Sequence, residues 1–418
     1  MKAEVPSEAT LGRAMGWILT VVFALSFLKG FRLPNLWVAT HLAFNYSQGF
    51  VRRGLVGEIF RWFNDGFYRY GAVVCFAFAL MAVAIGLLVL VLRRALRAHP
   101  FEWSLYVASL VFLSSPALVF FVHAVGYSEY FGLVITLLAM LAVRRLKASH
   151  SAFFLVLTAG VTMVMIHEVL GVMFAPVLVF MLACDQVRRR RVSNEPSRKW
   201  LLAACSVALV AMLLLGLSIF MSRLGHDDSR VLALQRYIQQ HADFRVRKEG
   251  FDVLRLSSGA AFQSIMPRYW REPYNVGLAV LSWQAFLPSF SWLLWYGVAS
   301  IVRATPGLLA RAVLTLLFMG ASLTPLLLNL VGYDWNRWNA VVLLATFTSL
   351  LTLKTSFPSA RRETSLPLLA FGIATACVGL AATTPLFDGA EVQFFPFDRQ
   401  LRFIESLLEG EFSFRPRA

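Results

Sequence analysis

The sequence predicts an all-α fold, a polytopic transmembrane bundle of about eleven spans with its N-terminus inside and its C-terminus outside. Three observations predict it. Hydrophobic residues make up 58% of the 418 and charged residues only 15%, whereas a soluble domain averages about 45–50% apolar and about 25% charged. Long stretches carry no charge at all, such as Gly71 to Leu92 and Trp200 to Met221. Each is close to the roughly 20 residues that cross a hydrocarbon layer, where only a helix satisfies its own backbone. Finally, basic residues gather in every second connection between such stretches.

The expected spans are 16–33, 71–92, 103–124, 129–143, 151–166, 169–184, 200–222, 276–302, 307–331, 338–354 and 366–386. For the first, Met1 to Met15 mixes Lys2, Glu4, Glu8 and Arg13. No clear small-residue cleavage site follows, so Gly16 to Phe31 reads as a retained span rather than a signal peptide. The short stretches between 124 and 184 leave room for broken or re-entrant helices, and Pro288 offers a kink within 276–302. The whole chain, 1–418, reads as one membrane domain with three appendages: an interfacial loop at 34–70, a large loop at 223–275 and a tail at 387–418. Val231, Leu234, Ile238 and His241 recur at helical spacing, so the large loop is expected to carry short helices. In the tail, Asp398 to Leu408 has a similar amphipathic pattern.

Orientation follows from the arginines. Arg93, Arg94 and Arg97 close the second span, Arg144, Arg145 and Lys147 the fourth, and Arg188 to Arg191 the sixth. Arg303 and Arg311, then Lys354, Arg361 and Arg362, continue the alternation, and basic short loops stay cytoplasmic. The loop 34–70 breaks this rule with Arg52, Arg53, Arg61 and Arg69. Such arginines suggest binding to phosphate, which a guanidinium grips through two parallel bonds. Six of the 39 basic residues are lysine, the remainder arginine. A GC-rich genome accounts for that bias equally well, but not for where these arginines sit.

Three motifs carry the candidate chemistry. In the first loop, Arg52 and Arg53 lie among Gly49, Gly54 and Gly57, with Phe50, Leu55, Ile59, Phe60 and Phe63 available as the apolar face of an interfacial helix. The pair reads as a phosphate clamp near a helix N-terminus or, more plainly, as an anchor among lipid headgroups. In the second motif His123, Tyr127 and Glu129 sit at one turn and His167 and Glu168 at the next. Ionisable groups at such depth are costly and suit acid–base work, though solvated caps at helix ends are the plainer account. The third is Tyr333-Asp334-Trp335-Asn336-Arg337-Trp338. Asp334 and Arg337 are spaced to pair on one turn, and the tryptophans suit either a membrane belt or a sugar platform. The four cysteines fit neither a CxxC pair nor a metal knuckle. No phosphate-binding P-loop, dinucleotide GxGxxG, HExxH or serine elbow occurs. No cofactor or metal site is therefore expected, although metal use stays open, and no nucleic-acid partner is expected either.

All these groups map to the non-cytoplasmic side, where no nucleotide pool exists. A transferase there needs a donor activated on lipid. In layout the chain resembles polytopic glycan-handling enzymes: GT-C type glycosyltransferases that use polyprenyl-phosphate sugars, and Wzy-type or EpsG-like polysaccharide polymerases. The resemblance covers the span pattern, the interfacial helix, the late large loop and the Tyr-Asp-Trp-Asn-Arg-Trp turn. It implies a glycan transferase or polymerase acting on polyprenyl-(pyro)phosphate-linked sugars in a bacterial inner membrane, its active face periplasmic. Arg52 and Arg53 would hold the pyrophosphate, with Arg337, Glu129, Trp335 and Trp338 lining the substrate. Glu168 or Asp334 would serve as base, with His167 orienting its partner. Two alternatives stay open: a transporter or flippase of lipid-linked sugar, and a non-catalytic membrane subunit.

Overall fold

The computed structural model describes residues 8–99, 102–193, 198–224, 227–255, 273–305, 307–330, 335–357, 365–382, 386–388 and 391–393. Helix dominates it. The first is α1 (Glu8–Gly30), followed by the short α2 (Leu36–Leu42) and α3 (Gly54–Phe63). The bundle continues with α4 (Tyr70–Ala98), α5 (Trp103–Ser114), α6 (Pro116–His123), α7 (Glu129–Val143), α8 (Ser149–Ile166), α9 (Glu168–Ser193) and α10 (Arg198–Arg223). The loop helices α11 (Asp228–His241) and α12 (Lys248–Arg255) intervene before α13 (Pro273–Ala304), α14 (Leu308–Leu323), α15 (Trp335–Ser356) and α16 (Leu366–Ala381). Beyond α16, Leu386–Asp388 and Glu391–Gln393 pair as two short antiparallel strands, which the all-helical expectation did not include.

Each expected span falls mostly on helix, yet seven helices are long and apolar enough to cross a membrane, or eight if one bent pair counts as a single span. The expectation of about eleven full-length spans is thus met only in part, among the described residues. Glu129–Val143 and Leu366–Ala381 are apolar but short. The stretch expected as one span over 103–124 is broken: α5 and α6 meet at 46°. The cause is local. Pro116 has no amide proton to give, so it starts a helix better than it continues one. Ser115 caps that start by accepting from the Ala117 amide at 3.3 Å while donating to the Phe112 carbonyl at 2.7 Å. The amphipathic piece expected over Asp398 to Leu408 lies outside the described residues.

At the centre stand α9 and α15. α15 is buried along its whole length, and it packs against α13, α9, α6, α14 and α4. α9 is enclosed by α7, α8, α10 and α14. Small residues allow these approaches: a Cβ on Gly160 would lie 2.4 Å from Leu214, so α8 meets α10 nearly backbone to side chain. Around this centre, α1, α10 and α16 turn Trp17, Phe220 and Phe371 outward, as lipid-facing helices would.

α4, α7, α9 and α15 all begin at one end of the bundle, here the proximal end, and finish at the distal end. Distally, Arg144 lies in electrostatic reach of Arg94, Arg188 and Asp185. Asp185 pairs with Arg188 at 2.6 Å and Arg189 at 2.5 Å. A second distal cluster ties four helices. Glu102 accepts from Tyr296 at 2.6 Å, pairs with Lys354, and lies 3.1 Å from His99 Nδ1. Burial alone would raise the Glu102 carboxyl, but His99, Lys354 and Tyr296 outweigh it and hold it at about 2.

Proximally, residues 34–70 and the loop helices form a cap with a core of its own. Val231, Leu234 and Ile238, the expected apolar stripe of α11, are fully buried there beside Phe44, Val51, Tyr68 and Phe251. Tyr68 and Ala242 join the two segments through an isolated parallel bridge. α3 divides the expected apolar face. Phe60 is buried in the cap, whereas Ile59, Trp62 and Phe63 are exposed at its edge.

Candidate functional site

The cap sets its arginines down on the ends of the bundle helices. Gly57 lets α3 approach the turn after α2: a Cβ there would lie 2.0 Å from the Phe44 carbonyl oxygen. α3 is thereby seated with Arg53 as its N-cap, at φ +68°, in the left-handed region. A side chain with a Cβ holds that conformation at a cost of about 1–2 kcal/mol. What it secures is direction. Arg53 Nε donates to both oxygens of Glu168 at 3.1 Å each, and its terminal nitrogen adds a further bond to the same carboxylate.

Arg52 turns the other way and is 1% exposed. It donates to the carbonyls of Ser222, at 3.3 Å, and Val253, so it joins the end of α10 to α12. One of its nitrogens also lies 3.7 Å from Glu168. The adjacent arginines thus share one carboxylate, which stands at the start of α9, where the helix dipole favours negative charge.

His167 separates α8 from α9 with extended backbone, and its Nδ1 accepts from the Val169 amide at 3.2 Å. That bond occupies the Nδ1 lone pair and leaves the ring proton on Nε2. Nδ1 is 3.6 Å from Glu168. Burial, then Arg53, press the imidazole down to about 3, Glu168 opposing them, so the ring is uncharged near neutrality.

The third motif enters from α15. Arg337 Nε lies 2.8 Å from Glu129 at the start of α7. Its guanidinium sits 4.0 Å over the Trp338 ring and 5.0 Å from that of Tyr127, and flat cations stack well on such rings. The expected partner of Arg337, Asp334, lies outside the described residues. The expected partner of Glu129, His123, is buried and receives the Arg32 Nε at its carbonyl oxygen, 2.7 Å away. Trp335 is buried against the main core.

Arg337 acts electrostatically on His167 together with Arg53 and Arg52, so the three motifs form one cluster. Arg52, Arg53 and Arg337 face Glu129 and Glu168: the balance favours an anion. Asn45-Tyr46-Ser47 matches the pattern of an N-glycosylation acceptor, but it is not displayed at the surface. Asn45 is fully buried, bonded to the Ala43 carbonyl and the Tyr68 hydroxyl.

The sequence reading passed over one member. His41, in the last turn of α2, lies in the field of Arg53, His167, Arg337 and Glu168. Its ring packs at a tilt against those of Trp37 and Phe44, with centroids 4.7 and 5.0 Å away. A lone histidine beside Trp37 in a short apolar stretch was its only signal. Among the described residues, no group of three or more His, Cys, Asp or Glu side chains is placed to hold a metal. No known family model, curated protein or solved structure matches the chain.

Proposed function

We propose that this protein is a membrane-embedded glycan transferase or polysaccharide polymerase, working at the non-cytoplasmic face on sugars carried by a polyprenyl phosphate or pyrophosphate. One observation carries the reading. Three arginines, two carboxylates and two uncharged histidines from five separate segments converge at the proximal end of an apolar bundle. An excess of guanidinium in a water-poor setting suits a phosphate leaving group, whose developing charge it stabilises. The distal gathering of Arg94, Arg144, Arg188 and Arg189 supports the orientation, since short basic loops stay cytoplasmic.

In this reading Arg53 and Arg337 meet the phosphate, and Arg52 holds the cap onto α10 and α12. Glu168, engaged through both oxygens, aims Arg53 rather than taking a proton itself. Trp338 and Tyr127 hold Arg337 flat through their ring faces. Asp334, three residues before Arg337, stays an acid–base candidate.

A second reading, a flippase of the same lipid-linked sugars, draws on α15. That helix is buried throughout and ion-paired at both ends, Arg337 with Glu129 and Lys354 with Glu102. Paired closures on one central helix would suit alternating access. Gene deletion followed by mass spectrometry of lipid-linked and surface glycans separates the two. A transferase leaves its lipid-linked donor exposed at the non-cytoplasmic face, whereas a flippase traps it on the cytoplasmic side. Complementation by Arg53→Ala should fail in the transferase case. An unchanged glycan profile in the deletion strain would overturn both readings.

A further inference from the structure

The roles just described leave no group to take the acceptor's proton among the described residues. Glu168 is saturated by Arg53, and His167 spends its Nδ1 lone pair on the Val169 amide. Glu129 Oε1 also makes no hydrogen bond among the described residues, but it is ion-paired with Arg337 Nε, 2.8 Å away. His41 stands in no ion pair among the described residues. Its Nε2 is buried and has no hydrogen-bond partner among the described residues. A buried polar atom left unsatisfied costs about 1–3 kcal/mol, so such an atom calls for an occupant. The ring is also fixed in place. Trp37 and Phe44 flank it. The first turn of α12 borders the same edge of the ring: a Cβ on Gly250 would lie 3.7 Å from Nε2, at contact distance.

We propose that His41 is a further catalytic residue of this site, the general base whose Nε2 faces the acceptor hydroxyl. The inference rests on the transferase reading above. The acceptor oxygen forms a bond to the sugar's anomeric carbon as its proton passes to His41 Nε2. The bond from that carbon to the phosphate oxygen breaks, and the electron pair leaves with the lipid (pyro)phosphate beside Arg53 and Arg337. The imidazolium then returns its proton to the leaving group or to water. Burial, then Arg53, His167 and Arg337, with Glu168 opposing them, favour the uncharged form of the ring. That is the state a base needs before the step.

The test uses the full chain in lipid nanodiscs and the lipid-linked glycan fraction extracted from host membranes. Transfer is measured for the wild type, His41→Gln, His41→Ala and Asp334→Asn. Binding of a polyprenyl pyrophosphate, followed by thermal shift, reports whether each variant is folded. We expect both His41 variants to bind the pyrophosphate within about threefold of the wild type, with kcat reduced about 10²–10⁴-fold. Added imidazole should restore part of the His41→Ala rate. A His41→Gln variant with undiminished kcat would overturn the assignment. So would a slow His41→Ala that imidazole leaves slow, or loss of pyrophosphate binding in both variants, since these mark a packing role. Loss of transfer in Asp334→Asn alone would give the base to Asp334. A wild type that binds the pyrophosphate but transfers no sugar would instead sink the transferase reading itself.

Discussion

At the scale of single residues, Arg53 and Glu168 are coupled through a buried ion pair at the start of α9. Arg53 and Glu168 are both nearly excluded from solvent, and each supplies most of the other's compensation. Removing one partner of a buried pair leaves an uncompensated charge, at a cost of about 3–5 kcal/mol. Arg53→Ala should therefore lower the melting temperature sharply in detergent. Adding Glu168→Gln should recover much of the loss without recovering transfer. If the double variant is no more stable than Arg53→Ala, then Arg53 contributes through the cap rather than through its charge. The backbone adds a second constraint. Arg53→Gly relaxes the left-handed strain, so it should be more stable than Arg53→Ala by about 1 kcal/mol while equally inactive.

At the scale of elements, the cap works because α3 rests directly on backbone. Gly57 meets the carbonyls of Phe44 and Leu42 with no room for a methyl group. Overpacking of this kind costs about 1–3 kcal/mol, and here it would push α3 away from α2. Gly57→Ala should thus reduce transfer more than it reduces expression, because Arg53 and His41 sit at the ends of the two helices it separates. Equal losses of both would show that the cap is only a folding unit. The break between α5 and α6 has a comparable positional effect. It ends α6 near His123 and the turn that carries Tyr127 and Glu129 toward Arg337.

At the scale of the whole molecule, the ion pairs of the described residues gather at the two ends of the bundle and in the cap. The distal network joins the end of α4, the start of α5, α13 and the end of α15 through Glu102. It lies outside the proposed site, so its loss should affect stability before chemistry. Glu102→Ala would leave Lys354 buried without its carboxylate and lower the melting temperature. Adding Lys354→Met should restore most of it, with transfer retained in the double variant. A distal change that abolishes transfer while the protein stays folded would favour the flippase reading, since α15 would then communicate between its ends.

Much of the architecture was written in the sequence through burial patterns that need no partner. Charge-free runs such as Gly71 to Leu92 demand helices in hydrocarbon wherever they pack. The spacing of Val231, Leu234 and Ile238 likewise marked α11 and its buried face. Residue chemistry singled out Arg52, Arg53, Glu129, His167, Glu168 and Arg337, because charge at membrane depth is costly wherever it occurs. Which charge meets which was decided only by the tertiary structure. Glu129 pairs with Arg337 on a distant helix, and Glu168 takes Arg53 through both oxygens. His41 enters the cluster only because α2 and α3 close together over Gly57. Periodicity is a property of one segment and can be read along the chain. Pairing depends on the distance between segments, which exists only once the bundle and its cap have packed.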